Sequence, residues 1–236
     1  QKGKLNGSAR PLIALAGYKG VGKTTASDAM VRDLYFRRIK MAGGLKAVCR
    51  ALGLTDQELD GPAKKLPSWT VRRIRQGGPD HATAFAAIDA IGVPAADLGW
   101  YRHRLARSLR EACQMIPGDT PRDALEYLGT AWGRETVHPH VWLLSWARAV
   151  DQLDVPVVID DLNFPEPFEA AWVRDRGGYI VRIDAPWCPG PVHPTDFEVD
   201  KIVPDARVQN EEGKPGIELA TDVLNGIARS NRQTAA

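Results

Sequence analysis

Residues 17–24 read GYKGVGKT and fit the pattern G-x-x-x-x-G-K-[ST]. An apolar run, Leu12-Ile13-Ala14-Leu15-Ala16, leads into them. Residues 24–36 follow with Ala26, Ala29, Met30, Asp33 and Leu34 at helical spacing. A glycine-rich turn between a buried strand and a helix is the context in which this pattern cradles phosphate. Gly17, Gly20 and Gly22 let the backbone curl so that successive N–H groups point inward at phosphate oxygens. The positive end of the following helix adds to that field. Lys23 is expected to reach the β- and γ-phosphates in a catalytic role, with the Thr24 hydroxyl as a Mg²⁺ ligand. Gly17, Tyr18, Lys19, Gly20, Val21, Gly22, Lys23, Thr24 and Thr25 thus form the expected nucleotide-phosphate site.

The rest of the chain alternates strands and helices around a helical block. Arg38 to Ala42 reads as a second strand, and Leu45 to Leu52 as a helix. Thr55 is placed to cap a short helix through Leu59, which Gly61-Pro62 ends. Between 66 and 117, Pro67, Gly77-Gly78-Pro79 and Gly92-Val93-Pro94 punctuate two or three short helices, with Leu98 to Met115 the clearest. Asp119-Thr120-Pro121 is a helix start, a capping hydroxyl followed by Pro in the first turn. That helix is expected to reach about Trp132, and another to run from about Pro139 to Val150. Val155–Ile159 and Tyr179–Ile183 read as strands flanking a helix over 166–176. A Pro-rich loop covers 185–194, Ala206 to Gln209 is a last strand, and Ile217 to Ala228 a closing helix. Strands alternating with helices predict a parallel sheet covered on both faces.

Composition narrows the classes. The chain has 236 residues, 44% hydrophobic and 25% charged, with a net charge of +2. That excludes a disordered chain and a small disulfide scaffold. No run approaches the length of a membrane span, so no membrane partner is expected. Cys49, Cys113 and Cys188 are isolated, as in a reduced, cytoplasmic setting. The polar amino terminus has no apolar core of a signal peptide, and the lack of an initial Met points to a trimmed start. His138 and His140 straddle Pro139, but no third ligand lies near, so helix entry is the expected role.

A phosphate loop needs an acidic residue at a second strand end to hold the Mg²⁺ shell. The stretch VPVVIDDLNF offers Asp160 and Asp161, of which only one can face the site if side chains alternate. Asp161 is preferred over Asp160.

Five stretches together carry a resemblance: GYKGVGKTTASDAM at 17–30, MAGGLKAVCRALG at 41–53, LDGPAKK at 59–65, TPRDALEYLGTAWGRETVHPHVW at 120–142 and VVIDDLNFPEPFEA at 157–170. In order and spacing the chain resembles the bacteriophage deoxynucleoside monophosphate kinases, a branch of the P-loop nucleotide kinases. The resemblance implies one α/β domain over 1–236, a three-layer P-loop nucleoside monophosphate kinase-like fold. It implies about five parallel strands and a helical acceptor and lid region inserted at 43–153. It implies transfer of the γ-phosphoryl of ATP, with Mg²⁺, to the 5′-phosphate of a small-molecule deoxynucleotide. Lys46, Lys64, Lys65 and Arg122 would then meet acceptor phosphate, Arg122 and Asp161 in catalytic roles. Glu126, Gly129, Thr130, Arg134, Trp142 and Asn163 would meet base, sugar or phosphate.

Several residues depart from the family pattern. Asn163 stands in DLNF where the family usually has Arg. Glu126 stands where Gln is common, and an ionised carboxylate accepts hydrogen bonds but donates none. That favours guanine over thymine at the base. Ala185-Pro186-Trp187 replaces Arg-Pro-Gly after the fourth strand, so the loop 184–198 lacks its arginine, with Arg174 or Arg176 as substitutes. These departures leave two further readings. One is a kinase of a hydroxymethylated nucleotide or of such a base in phage DNA, the only reading with a nucleic-acid partner. The other is a nucleotide-binding protein without phosphotransfer. A homodimer and a host-cytoplasmic location complete the expectations.

Overall fold

The computed structural model describes residues 10–165, 167–188, 190–191 and 194–234. In chain order its elements are β1 (Leu12–Ala16), α1 (Lys23–Asp33), β2 (Arg37–Arg38), α2 (Gly43–Ala51), α3 (Asp56–Asp60) and a 3-10 turn at Pro62–Lys65. Next come α4 (Trp69–Gly77), α5 (His81–Asp89), a 3-10 turn at Ala95–Leu98, α6 (Arg102–Gln114), α7 (Pro121–Tyr127), a π-helical stretch at Leu128–Val137 and α8 (Val141–Asp151). The last are β3 (Val157–Ile159), α9 (Glu169–Asp175), β4 (Tyr179–Asp184), α10 (Pro194–Asp200), β5 (Ala206–Gln209) and α11 (Gly216–Thr234). The chain forms two compact units, a sheet unit of Gln1–Lys40 with Gln152–Ala236 and a helical unit of Met41–Asp151. No helix among the described residues is long and apolar enough to cross a membrane.

In the sheet unit five parallel strands lie in the order β2-β3-β1-β4-β5. Alternate side chains serve opposite faces. Ile13, Leu15, Val158, Val181 and Ile183 share a core with Ala26, Ala29 and Met30 of α1 and Leu219, Val223 and Ile227 of α11. Against the other face lies α9, where Val173 meets Leu12 at Gly178. The result is a three-layer α/β fold of the P-loop kinase-like kind. Strand order reverses at β1, and in open parallel sheets ligands bind beyond the carboxyl ends of strands at such a point. The phosphate loop begins there.

The strand expected over Arg38–Ala42 is displaced. β2 is held by Arg37 N to Pro156 O at 2.7 Å and Ile39 N to Val158 O at 3.0 Å, after which the chain turns into α2. Glu166, where a helix was expected to begin, lies outside the described residues; α9 starts at Glu169. The segment after β4, expected to be loop through 194, leads into α10, whose start at a proline suits a first helical turn.

The helical unit is built around one core that joins Val48, Leu59, Ile74, Ile88, Leu105, Leu109 and Trp132. Thr55 caps α3 with Glu58 in a reciprocal box, and Thr120 caps α7 with Asp123 in the same way. The expected helix from Leu98 is interrupted. Gly99 sits at φ 76, which ends the preceding 3-10 turn, and α6 begins at Arg102. The helix from Pro121 does not stop near Trp132 but widens into the π-helical stretch. Two indoles fix that stretch: Trp142 Nε1 donates to Gly129 O at 2.8 Å and Trp132 Nε1 to Ser108 Oγ at 3.1 Å. A side chain at Gly133 would put its Cβ 2.6 Å from the Trp142 ring.

Candidate functional site

The phosphate loop of the sheet unit is shaped by backbone. Gly17, Gly20 and Gly22 have φ of 138, 88 and 100, a region that side-chain-bearing residues avoid. Asn210, beyond β5, supports the loop from inside, with Nδ2 donating to Val21 O at 3.0 Å. A Cβ on Gly22 would lie 2.5 Å from that nitrogen, so the position needs glycine twice over. Lys23 folds back along the loop, its Nζ 2.6 Å from Gly17 O and 2.7 Å from Tyr18 O. Lys19 and Gly20 in the loop, and Thr24 and Thr25 at the start of α1, are exposed.

The strand-end acid that faces α1 is Asp160. Its side chain has the parity of Val158, hence the α1 face. Asp160 is 4% exposed; Oδ2 accepts from Ser27 Oγ at 3.0 Å and lies 3.5 Å from Arg38 Nη1. Oδ1 is buried without a hydrogen-bond partner. Such an orphaned oxygen is costly unless a water or a cation shell meets it. Asp161, the preferred candidate, has the opposite parity; it is half-buried, and its carbonyl accepts from Asn163 Nδ2 at 2.8 Å. Asn163 and Phe164 donate backbone N–H groups to Glu169 Oε2 at 2.9 and 3.2 Å, so this loop is tied to α9.

Among the described residues no cluster of three or more His, Cys, Asp or Glu suits a metal. His138 Nδ1 accepts from His140 N at 3.1 Å, a helix-entry contact. A hydroxyl at Thr24 and the Asp160 carboxylate are hard oxygen donors, the type Mg²⁺ takes together with substrate phosphates. The orphaned Asp160 oxygen fits that ion.

The segment after β4 touches the loop from outside. Tyr18 donates its hydroxyl to Asp200 at 2.6 Å, Trp187 Nε1 lies 3.3 Å from Gly20 O, and Cys188 Sγ is 3.7 Å from Lys19 O. Arg182 lies against the Tyr18 ring, its guanidinium carbon 5.1 Å from the centre. Arg174 and Arg176, offered as substitutes for the missing arginine, are occupied elsewhere. Arg174 binds Val203 O and faces Asp205, and Arg176 lies over Trp172.

In the helical unit the structure brings Lys46, Lys64, Arg122 and Glu126 together from α2, the 3-10 turn and α7. Lys46 pairs with Asp60, and Arg122 Nε donates to Glu126 Oε1 at 2.6 Å. Arg50 joins the group through Asp60, its Nη2 lying 3.8 Å from Oδ2. Burial and the neighbouring charges of Lys46 and Arg122 hold the Lys64 ammonium below its ordinary pKa. The carboxylates of Asp60 and Glu126 offset part of that repulsion, and a further anion would offset more of it. Lys65, Thr130 and Arg134 are exposed, and Gly129 is buried. Trp142, expected beside a base, sits instead in the core. It is 6% exposed, its N–H is satisfied by Gly129, and its ring lies 6.3 Å from Trp132.

Sequence reading passed over Ser27, Arg38, Arg182, Asp200 and Asn210. Only Ser27 carried a signal, since it lies one turn into the helix after GKTT. The others come from separate strands and helices and meet only in the fold.

No family model matches the chain. A protein of Acanthamoeba polyphaga mimivirus described as "Putative deoxynucleotide monophosphate kinase" is 26% identical over 205 residues, covering 81% of this chain and 83% of that protein. The likeness supports a nucleotide kinase.

Proposed function

We propose that the chain transfers the γ-phosphoryl group of ATP to the 5′-phosphate of a deoxynucleoside monophosphate. The observation that carries this reading is a cluster of cations in the helical unit. Besides the phosphate loop, the chain holds Lys46, Lys64 and Arg122 together in the helical unit, with the carboxylates of Asp60 and Glu126 beside them. The mimivirus protein's description and the phosphate loop point the same way.

An acceptor phosphate oxygen attacks the γ-phosphorus as the bond to the bridging β–γ oxygen breaks, giving a deoxynucleoside diphosphate and ADP. Catalysis of this kind is positioning plus charge neutralisation. The glycine-shaped loop gives its N–H groups to the donor phosphates, and Lys23 leaves the Gly17 and Tyr18 carbonyls to meet the charge on the transferred group. Mg²⁺, when bound, neutralises charge on the donor phosphates. Thr24 and Asp160 would hold it, with Asp160 now favoured over Asp161 by its parity and orphaned oxygen. Arg122 forks onto acceptor phosphate, giving up its pairing with Glu126.

The test is ADP release with ATP·Mg²⁺ and each deoxynucleoside and ribonucleoside monophosphate in turn. Turnover with a deoxynucleoside monophosphate supports the reading. Turnover only with DNA, or nucleotide binding without turnover, overturns it.

A further inference from the structure

On the sheet face turned away from α1, a buried arginine lies under the phosphate loop. Arg182 is 6% exposed in a strand whose neighbouring side chains are Val181 and Ile183. Burying a guanidinium is strongly unfavourable unless its donors are met. Here Nε donates to Asp184 Oδ1 at 2.8 Å, Nη2 donates to Asp200 Oδ1 at 2.8 Å, and Nη1 lies 3.4 Å from Val199 O. The Tyr18 ring covers its flat face. Tyr18 donates its hydroxyl to the same Asp200, 2.6 Å from either oxygen. Three side chains, from β4, the phosphate loop and α10, therefore close a ring of contacts.

That ring reaches the reactive end of the site in one step. The Tyr18 carbonyl is one of the two that hold Lys23 Nζ. Burial and the Asp200 carboxylate push the Tyr18 phenol above its ordinary pKa, so it remains a donor at neutral pH. The Asp200 carboxyl is held below its usual range, first by the Tyr18 hydrogen bond, so it remains an acceptor. An apolar residue would fill the Arg182 position without any electrostatic penalty. What an arginine adds is a fixed place for two polar partners.

We propose that Arg182 is a positioning residue of the phosphate loop: through Tyr18 and Asp200 it holds the first half of GYKGVGKT in the shape that receives phosphate. The inference rests on the reading of that loop as a nucleotide site. A loop held in its binding shape loses less freedom when the anion arrives, so loosening it weakens binding without removing any group that touches the ligand.

Binding of inorganic tripolyphosphate to the full chain, measured by calorimetry alongside the melting temperature, tests this. Tyr18→Phe keeps the ring over Arg182 and removes the link to Asp200; Asp200→Asn keeps an acceptor and removes the charge. Each is expected to weaken tripolyphosphate about tenfold, the size of one charge-assisted hydrogen bond. The double variant is expected to be no weaker than the worse single one, because both break the same link. Arg182→Lys is expected not to restore affinity, since an ammonium cannot fork to two carboxylates and lie flat under a ring. In turnover, KM for ATP rises while KM for the acceptor holds. Unchanged affinity in Tyr18→Phe and Asp200→Asn, or fully additive losses, overturns the inference even if Arg182 variants fail to fold. A wild-type chain that does not bind tripolyphosphate overturns the nucleotide-site reading and the inference with it. Wild-type binding without turnover overturns the kinase reading alone.

Discussion

The two units hold their candidate groups in opposite ways. In the sheet unit the phosphate loop is made of backbone, and its supports are buried: Asn210 inside the loop, Asp160 against Ser27, Arg182 beneath Tyr18. In the helical unit two of the three cations are paired with acids, Lys46 with Asp60 and Arg122 with Glu126, and Lys64 is half-buried beside them. The first arrangement exists before ligand arrives. The second has to exchange partners in part, because Lys46 and Arg122 must each leave a carboxylate to meet an acceptor phosphate. Preorganised charge contributes most to rate, whereas exchanged charge contributes mainly to binding and discrimination.

The largest effect expected from that contrast is at Lys23. Lys23→Ala should lower kcat by about 10²–10³-fold, the range for losing one group that meets charge developing in the transition state, with the melting temperature unchanged. Turnover near wild type in a folded sample would break the comparison. Next is Arg122. Arg122→Ala and Arg122→Lys should both raise the acceptor KM, about tenfold, and leave KM for ATP alone, because the lysine keeps charge but loses the fork. A lysine variant equal to wild type would show that only charge matters there.

A third experiment separates fold from site. Gly133→Ala forces a methyl group against the Trp142 ring and should destabilise the helical unit by about 1–3 kcal/mol, the usual range for overpacking. Hydrogen exchange should rise within Met41–Asp151, with tripolyphosphate affinity of the loop unchanged. Equal protection in variant and wild type would show that the π-helical stretch yields easily.

A smaller effect is expected at Lys64. Its pKa is depressed in the folded state, first by burial and then by Lys46 and Arg122. A depressed pKa means that the folded chain binds this proton less tightly than the unfolded one. The penalty is full below the folded pKa and is relieved as pH rises from there toward the ordinary lysine value. Lys64→Met should therefore raise the melting temperature at neutral pH, and added phosphate should stabilise wild type more than the variant. The reverse order would remove the case for an anion site. Smallest is Glu126, exposed and bound to Arg122. Guanine offers two N–H donors to a carboxylate and thymine one between two carbonyls. Glu126→Gln should therefore narrow a dGMP-over-dTMP preference by a factor of a few. An unchanged ratio would leave Glu126 as a partner of Arg122 and nothing more.

What was legible in the sequence follows the same division. GYKGVGKT could be read because backbone geometry demands glycine at fixed offsets, β1 and β3 because fully buried strands are continuous apolar runs, and β4 because Ile180, Val181 and Ile183 leave only Arg182 charged among its buried residues. The caps at Thr55 and Thr120 were legible for a like reason: each satisfies N–H groups within its own turn. The short β2 slipped because only two residues pair. The π-helical stretch was not legible, since its cause is the Trp142 indole reaching Gly129 from another helix. Trp142 itself was misplaced because an aromatic at helical spacing looks alike in a core and beside a base. Asp160 and Asp161 were adjacent candidates, and the register of β3 separates them. Arg182 and Asp200 became a pair only once β4 and α10 were folded.

The placing of β1 has a consequence for synthesis. Leu12–Ala16 is uncharged and apolar, and both strands that flank it, β3 and β4, come from beyond the helical unit. At about 5–20 residues per second, β1 waits on the order of ten seconds with both edges bare. A bare strand of this composition pairs readily with the wrong neighbour. The helical unit is compact over Met41–Asp151, and its folding during that wait would shorten the span that β3 must close. The sheet therefore cannot begin before Val157–Ile159 has emerged, because β3 is the first strand in chain order to pair with β1.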